Sequence, residues 1–138
     1  MNAFSAKAIM SLDLWALLAV LILGMAHLGL ASVLSLAQLG PAYILSPRDQ
    51  QRDVSGVSGR IVRAYRNLLE ILPQFVASLF LVHAAGANGD YTVLGAWMFF
   101  AGRLIYAPAY AFGPTGLRPI AWMAAQIGIL IILTDLLV

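Results

Sequence analysis

The residues best suited to chemistry lie on one face of a single predicted helix. Arg63, Arg66, Asn67, Glu70 and Gln74 follow one another at i, i+3, i+4, i+7 and i+11 within a largely apolar segment. Residues three and four apart lie one above another on an α-helix, so these side chains form a narrow polar stripe. In a membrane, such a stripe must face protein or water, because a charge exposed to lipid costs several kcal/mol.

Further residues of the same chemical kind follow along the chain. Arg103, Tyr106 and Tyr110 have the i, i+3, i+7 spacing of one helix face, and Arg118 opens the last apolar segment. Arginine can grip a carboxylate with two parallel hydrogen bonds, and a glutamate can pair with an ammonium group. Together with the stripe, these residues predict a cationic pocket for a small anionic ligand that also carries an amine. An arginine beside a thiol favours the thiolate, which is the nucleophilic form.

Composition indicates an all-α membrane protein. Of the 138 residues, 62% are hydrophobic and only 10% are charged, whereas a soluble domain has about 25% charged residues. The net charge of +2 provides no basic surface large enough for nucleic acid. The chain has no cysteine, which excludes disulfides, zinc–thiolate sites and thiol catalysis by the protein itself. His27 and His83 are too far apart in the sequence to indicate a metal centre, so no metal is expected.

Four apolar segments predict four transmembrane helices in a single domain that fills residues 1–138. The predicted helices cover about residues 12–39, 60–83, 91–112 and 118–137. Each is about 20 residues or longer, which is enough to cross a hydrocarbon core of about 30 Å. Gly40-Pro41 is expected to end or kink the first helix, and Pro73 to kink the second.

Basic residues are concentrated in the connections on one side of the predicted bundle. Arg48, Arg52 and Arg60 lie between the first two helices and Arg118 lies between the last two, whereas the other side carries only Lys7. By the positive-inside rule, the arginine-bearing connections face the cytoplasm and both termini face away from it.

The second helix resembles the signature of the MAPEG family, the membrane-associated proteins in eicosanoid and glutathione metabolism. The segment from Arg63 to Pro73 is similar to the pattern Arg-Ala-x-Arg-Asn-x-x-Glu-x-x-Pro. The supporting matches are Gly102-Arg103-x-x-Tyr106-x-x-x-Tyr110 in the third helix and Arg118-Pro119 at the start of the fourth. The resemblance implies a left-handed four-helix bundle that assembles as a homotrimer, here in a bacterial inner membrane.

The resemblance also implies that glutathione is a cosubstrate, bound between adjacent subunits near the cytoplasmic side. Arg63, Arg66, Asn67 and Glu70 would hold its backbone, with Arg103, Tyr106 and Tyr110 contributed by the neighbouring subunit. Gln74 completes the stripe and is included among the binding residues. Arg118 would stabilise the thiolate, and Tyr106 or Tyr110 would donate a hydrogen bond to it. The implied activity conjugates glutathione to a lipophilic electrophile that arrives from the bilayer lipids, or reduces such a molecule.

Three other interpretations remain open. A non-catalytic membrane protein of the same fold would bind a lipid or act as a scaffold, and would form no glutathione thiolate. A small-solute or proton pathway would use the stripe as a relay, although the polar groups cluster toward one face of the membrane. In a purely structural role, Arg66 and Glu70 would form an i, i+4 ion pair, and His27 would serve helix packing.

Overall fold

The computed structural model describes residues 10–138, which fold into helices joined by short connections, without a strand among them. The helices are α1 (Leu12–Ile44), α2 (Gly56–Ala84), α3 (Asp90–Phe112) and α4 (Leu117–Thr134). The predicted all-α architecture with four helices is therefore confirmed. Lys7, which contributed to the predicted orientation, lies outside the described residues.

α1 is kinked at Gly40, as the Gly40-Pro41 pair predicts, and it continues beyond the predicted bound at residue 39. Gly40 has φ 78° and ψ 158°, a conformation that is open essentially only to glycine. A short second piece, residues 41–44, follows this break. Ile44 lines the same cavity as Ser32, although the two would lie about 18 Å apart along an unbroken helix. The second piece therefore folds back toward the first.

α3 and α4 approach each other closely because small residues face one another along their contact. A Cβ atom on Gly128 would come within 2.6 Å of the carbonyl oxygen of Gly95, and one on Gly102 would come within 2.7 Å of that of Ala121. Small residues allow helix backbones to pack at short distance in a membrane. This contact places the start of α4, with Arg118, beside the C-terminal half of α3.

The apolar interior is divided into two clusters. In the larger one, which all four helices share, the rings of Phe75 and Phe99 stack with their centroids 4.0 Å apart. The smaller one contains Ala64, Ala121 and the buried ring of Tyr106, with Tyr110 packed against it. The smaller cluster joins α2, α3 and α4 at the end of the bundle where α4 begins.

The surface of the single chain is strongly apolar. Among the described residues, α1, α2 and α4 are long and apolar enough to cross a membrane. α3 is 23 residues long, but Asp90 and Arg103 reduce its apolar character. Only 17% of the most apolar part of α1 is buried inside the chain. Such an exterior fits lipid or neighbouring subunits rather than water, and the predicted membrane-protein class is confirmed.

Candidate functional site

Most of the polar residues singled out in the sequence meet at one end of the bundle. α2 contributes the first half of its polar stripe, α3 contributes its C-terminal half, and α4 contributes its first turn. We call this region the arginine end, and define it by Arg60, Arg63, Arg66, Asn67, Glu70, Arg103, Tyr106, Tyr110 and Arg118. The helices converge there through the smaller apolar cluster, which includes Tyr106 and against which Tyr110 packs.

Tyr110 connects the three helices of the arginine end. The Nε of Arg63 donates a hydrogen bond of 3.0 Å to the hydroxyl oxygen of Tyr110. The guanidinium of Arg118 lies 4.6 Å from the centroid of the same ring, where the electron-rich face of an aromatic ring attracts a cation. Because the oxygen accepts from Arg63, the hydroxyl proton of Tyr110 remains available for donation to a ligand.

Arg103 is the most deeply buried charge of the site, with 1% of its surface exposed. Its Nη1 donates a hydrogen bond of 3.1 Å to the Oδ1 of Asn67, and its guanidinium lies 4.3 Å from the centroid of the Tyr106 ring. Its Nε is buried without a hydrogen-bond partner within residues 10–138. A buried guanidinium is unfavourable unless it is hydrogen-bonded, so this N–H group is disposed to bind a further acceptor.

Asn67 extends the contacts of Arg103 to the only carboxylate of the arginine end. Its Nδ2 donates a hydrogen bond of 3.1 Å to the Oε2 of Glu70. Arg66 and Glu70 form no ion pair in this part of the described chain, so the purely structural pairing considered above is not present. The exposed carboxylate of Glu70 can therefore accept a ligand ammonium group while Asn67 fixes its orientation.

Arg66 and Gln74 lie on the exposed face of α2. In the amide orientation that pairs donors with acceptors, the Gln74 nitrogen donates to the carbonyl oxygens of Ile71 and Glu70, each at 2.9 Å. Gln74 thus binds the backbone of its own helix, about two turns beyond Asn67, whose side chain forms the hydrogen bond to Arg103 of α3. Within one chain, the structure brings together Arg63, Asn67, Arg103, Tyr106, Tyr110 and Arg118, and leaves Arg66 and Gln74 on the outside. Arg103 and Tyr110 therefore contact the stripe of their own chain, whereas the family resemblance implied that they come from the neighbouring subunit.

Two cavities adjoin Arg118. The first has a volume of about 330 Å³ and is lined by Asn67, Tyr106, Arg118, Pro119 and Trp122, and it falls in the size range of small-ligand sites. The second has about 320 Å³ and includes Arg60, Tyr110 and Arg118 in its lining. Arg60 and Trp122 are two lining residues that the sequence did not predict to belong to the site. Arg60 lies at i−3 from Arg63 and extends the stripe by one turn, a spacing that would have identified it.

Nearly the whole chain matches a known protein family. A family model described as the MAPEG family matches residues 11–138. The chain belongs to the MAPEG family. The match includes all four helices and every residue of the arginine end, which confirms the resemblance seen in the second-helix signature. A search of curated proteins gives no matching relative for this MAPEG protein.

Proposed function

We propose that this MAPEG protein is a membrane-bound glutathione transferase or peroxidase. The observation that carries the proposal is the convergence of Arg63, Arg103 and Arg118 on the rings of Tyr106 and Tyr110, beside a cavity of about 330 Å³. Glutathione presents two carboxylates, one ammonium group and one thiol. The guanidiniums match the carboxylates, and the tyrosine hydroxyls match a thiolate that accepts hydrogen bonds.

The residues proposed to hold glutathione divide by charge. Glu70 receives the ammonium group, and the arginines receive the carboxylates. The proposed binding set is Arg63, Arg66, Asn67, Glu70, Gln74, Arg103, Tyr106 and Tyr110. Asn67 contributes chiefly by fixing Glu70 and Arg103 through its two hydrogen bonds of 3.1 Å, so that little side-chain ordering is needed when the ligand arrives.

The catalytic roles fall to Arg118 and Tyr106, which both line the cavity of about 330 Å³. The Arg118 guanidinium lowers the pKa of the glutathione thiol, whose proton passes to water, and Tyr106 donates a hydrogen bond to the resulting thiolate. In conjugation, the thiolate sulfur forms a bond to an electrophilic carbon. Either a leaving group departs from that carbon with its bonding electron pair, or the π pair of an activated double bond moves to the neighbouring atom, which then takes a proton from water. In peroxide reduction, the thiolate attacks the terminal oxygen of the hydroperoxide, the O–O bond breaks, and the departing alkoxide takes a proton from water to leave as an alcohol. The glutathione sulfenic acid that remains condenses with a second glutathione to give the disulfide and water.

We propose that the protein works as a homotrimer with the arginine end on the cytoplasmic side of a bacterial inner membrane. Arg66, Glu70 and Gln74 are exposed on the surface of the single chain, although α2 is apolar enough to span a membrane. A neighbouring subunit would shield these groups from lipid and would form the second wall of the glutathione site. The lipophilic substrate would enter sideways from the membrane lipids. The mass of the detergent-solubilised complex, measured by light scattering, tests the trimer.

The thiolate absorbance of glutathione tests the proposed activity. The band is recorded near pH 7 with the wild-type protein, with Arg118→Ala, and with Arg52→Ala as a matched control in the α1–α2 connection. We expect a thiolate signal that Arg118→Ala loses and Arg52→Ala retains. If Arg118→Ala retains the thiolate signal, then Tyr106 or Arg103 rather than Arg118 activates the thiol. No thiolate signal, together with no heat of glutathione binding, would exclude the proposed glutathione-dependent activity.

A second candidate function is that of a non-catalytic lipid-binding protein or scaffold of the same fold. It is favoured by a cavity of about 170 Å³ between α1 and α2. The side chains around it are apolar apart from Tyr65, and include Val20, Leu28 and Leu72. This function predicts that a fluorescent fatty acid binds equally well to the wild-type protein and to Arg118→Ala, while glutathione produces no thiolate with either.

A further inference from the structure

The second cavity beside Arg118 shares Tyr110 and Arg118 with the proposed glutathione site, but it also includes Arg60 and Thr115, which lie outside that set. It has a volume of about 320 Å³ and lies against the connection between α3 and α4. Arg60 of α2, Tyr110 of α3, Arg118 of α4 and Thr115 of the connection all line it.

The charge of this cavity has one sign. Arg60 and Arg118 both line it, and no aspartate or glutamate does. Within residues 10–138 the guanidinium of Arg60 forms no ion pair, and its Nε is buried without a hydrogen-bond partner. Two guanidiniums that share a cavity repel each other, and a buried N–H group without an acceptor is unfavourable. Both effects are relieved when an anion binds between them.

The remaining polar groups of the cavity are also donors. Thr115 offers a hydroxyl group, and the Tyr110 hydroxyl accepts from Arg63 at 3.0 Å and so keeps its proton for donation. α4 begins at this cavity, and its N-cap, Gly116, supplies no side-chain hydrogen bond. The positive end of the helix dipole therefore adds to the potential of the two arginines.

We propose that this cavity binds a phosphate oxyanion, which is supplied either as free phosphate or as the headgroup of an anionic phospholipid. A phosphate group offers enough acceptor oxygens for two guanidiniums and a hydroxyl group at once, and arginine binds phosphate through paired hydrogen bonds. The cavity lies where the chain turns between two helices of the membrane bundle, the level at which lipid headgroups and the aqueous phase meet.

Occupation of this cavity has a consequence for the reaction, and this consequence alone rests on the proposed function. Arg118 lines both cavities. A phosphate bound between Arg60 and Arg118 competes for the Arg118 guanidinium and compensates its charge. Phosphate is therefore expected to weaken the thiolate band of bound glutathione, which makes the second cavity a regulatory site for the first.

The test uses the full-length protein in phosphate-free maltoside micelles, titrated with inorganic phosphate and followed by calorimetry. We expect wild-type binding to become at least about tenfold weaker in Arg60→Gln, because one of the two charge-assisted contacts is lost. Arg52→Gln, a matched removal of one arginine from the α1–α2 connection, is expected to bind like the wild type. Thr115→Val, a substitution in an exposed turn, is expected to weaken binding severalfold without disturbing the helices.

Equal phosphate affinity in the wild type, Arg60→Gln and Thr115→Val would overturn the site, as would a wild-type protein that gives no heat. Phosphatidylglycerol added to the micelles identifies the source. Displacement of inorganic phosphate assigns the site to a lipid headgroup, and unchanged phosphate affinity assigns it to the free ion. Glutathione is titrated into a separate phosphate-free sample of the wild-type protein. If phosphate binds and glutathione does not, the proposed function is wrong but the anion site is supported. If glutathione binds and phosphate does not, only the anion site is wrong.

Discussion

The two ends of the bundle differ in how their charged groups are paired. At the end away from the arginines, Asp13, His83, Thr92 and Asp135 form what we call the carboxylate end, and within this set both carboxylates have a partner on another helix. The buried carboxylate of Asp13 contacts the His83 ring at 2.5 Å, joining the start of α1 to the end of α2. Asp135 accepts hydrogen bonds of 2.7 and 2.6 Å from the backbone N–H and hydroxyl of Thr92, joining α4 to α3.

The arginine end has far more donors than acceptors. Among the described residues there, Glu70 is the single carboxylate beside five arginines. The guanidiniums of Arg63, Arg103 and Arg118 lie against tyrosine rings rather than against carboxylates. The Nε atoms of Arg60 and Arg103 have no partner within residues 10–138.

This difference in pairing distinguishes residues that stabilise the fold from residues that are free to bind a ligand. A buried polar group with all its partners in place stabilises the helices it connects. A group that lacks partners is retained at a cost in stability, which is typical of a functional site. Substitutions at the carboxylate end should therefore affect stability, and substitutions at the arginine end should affect binding.

The largest expected effect is on the carboxylate end. His83→Ala removes the partner of Asp13, whose carboxylate is 1% exposed. An uncompensated buried charge is strongly destabilising, and we expect a loss of about 2 to 3 kcal/mol, measured from the thermal unfolding of the protein in detergent. Glutathione affinity, measured below the unfolding range, should stay within twofold of wild type. A variant that keeps its stability but loses glutathione binding would contradict the division between the two ends.

Asn67 is expected both to stabilise the fold and to support glutathione binding, so its variants test the two roles together. Asn67→Leu removes the acceptor of the buried Arg103 at 3.1 Å, and we expect a loss of about 2 kcal/mol in unfolding free energy together with weaker glutathione binding. Asn67→Asp keeps an acceptor for Arg103 but no longer donates to Glu70. It should therefore recover most of the stability and little of the affinity. Equal stability of the two variants would show that the Arg103 contact does not support the fold.

The sequence predicted the helices and most of the arginine end, because apolar length and the spacing of polar residues determine both. Spacing gives the helix face on which a residue lies but not its rotamer. The i, i+4 spacing of Arg66 and Glu70 therefore suggested an ion pair that the structure does not contain among the described residues. The continuation of α1 beyond Gly40 depends on a positive φ angle, which composition does not show. The second cavity depends on how α2 and α4 meet, and was therefore not predicted.

The pH dependence of stability should come in part from Asp135. Burial alone would raise the pKa of its carboxyl, but hydrogen bonds from the Thr92 hydroxyl and from the N–H groups of Thr92 and Gly89 lower it below its ordinary 3.8. A group with a lowered pKa stabilises the folded state fully above a pH of about 5, and this contribution is lost as the pH falls through the lowered value.

Asp135→Asn should therefore lose about 1 kcal/mol at neutral pH and show a smaller decline in thermal midpoint between pH 6 and pH 3. Asp53→Asn, which changes an exposed carboxylate in the α1–α2 connection, serves as the control and should follow the wild-type curve. Parallel curves for Asp135→Asn and the wild type would show that another group governs acid unfolding of this end.

The smallest expected effect is at the outer edge of the arginine end. Gln74 already satisfies its amide nitrogen on the carbonyl oxygens of Ile71 and Glu70, so a ligand must compete with these local bonds. Gln74→Ala should weaken glutathione binding by less than about threefold, whereas Arg66→Gln, on the same exposed face, removes a charge and should weaken it about tenfold or more. Calorimetric titration of both variants measures the difference. A larger loss for Gln74→Ala than for Arg66→Gln would mean that the amide turns away from its own helix to bind the ligand.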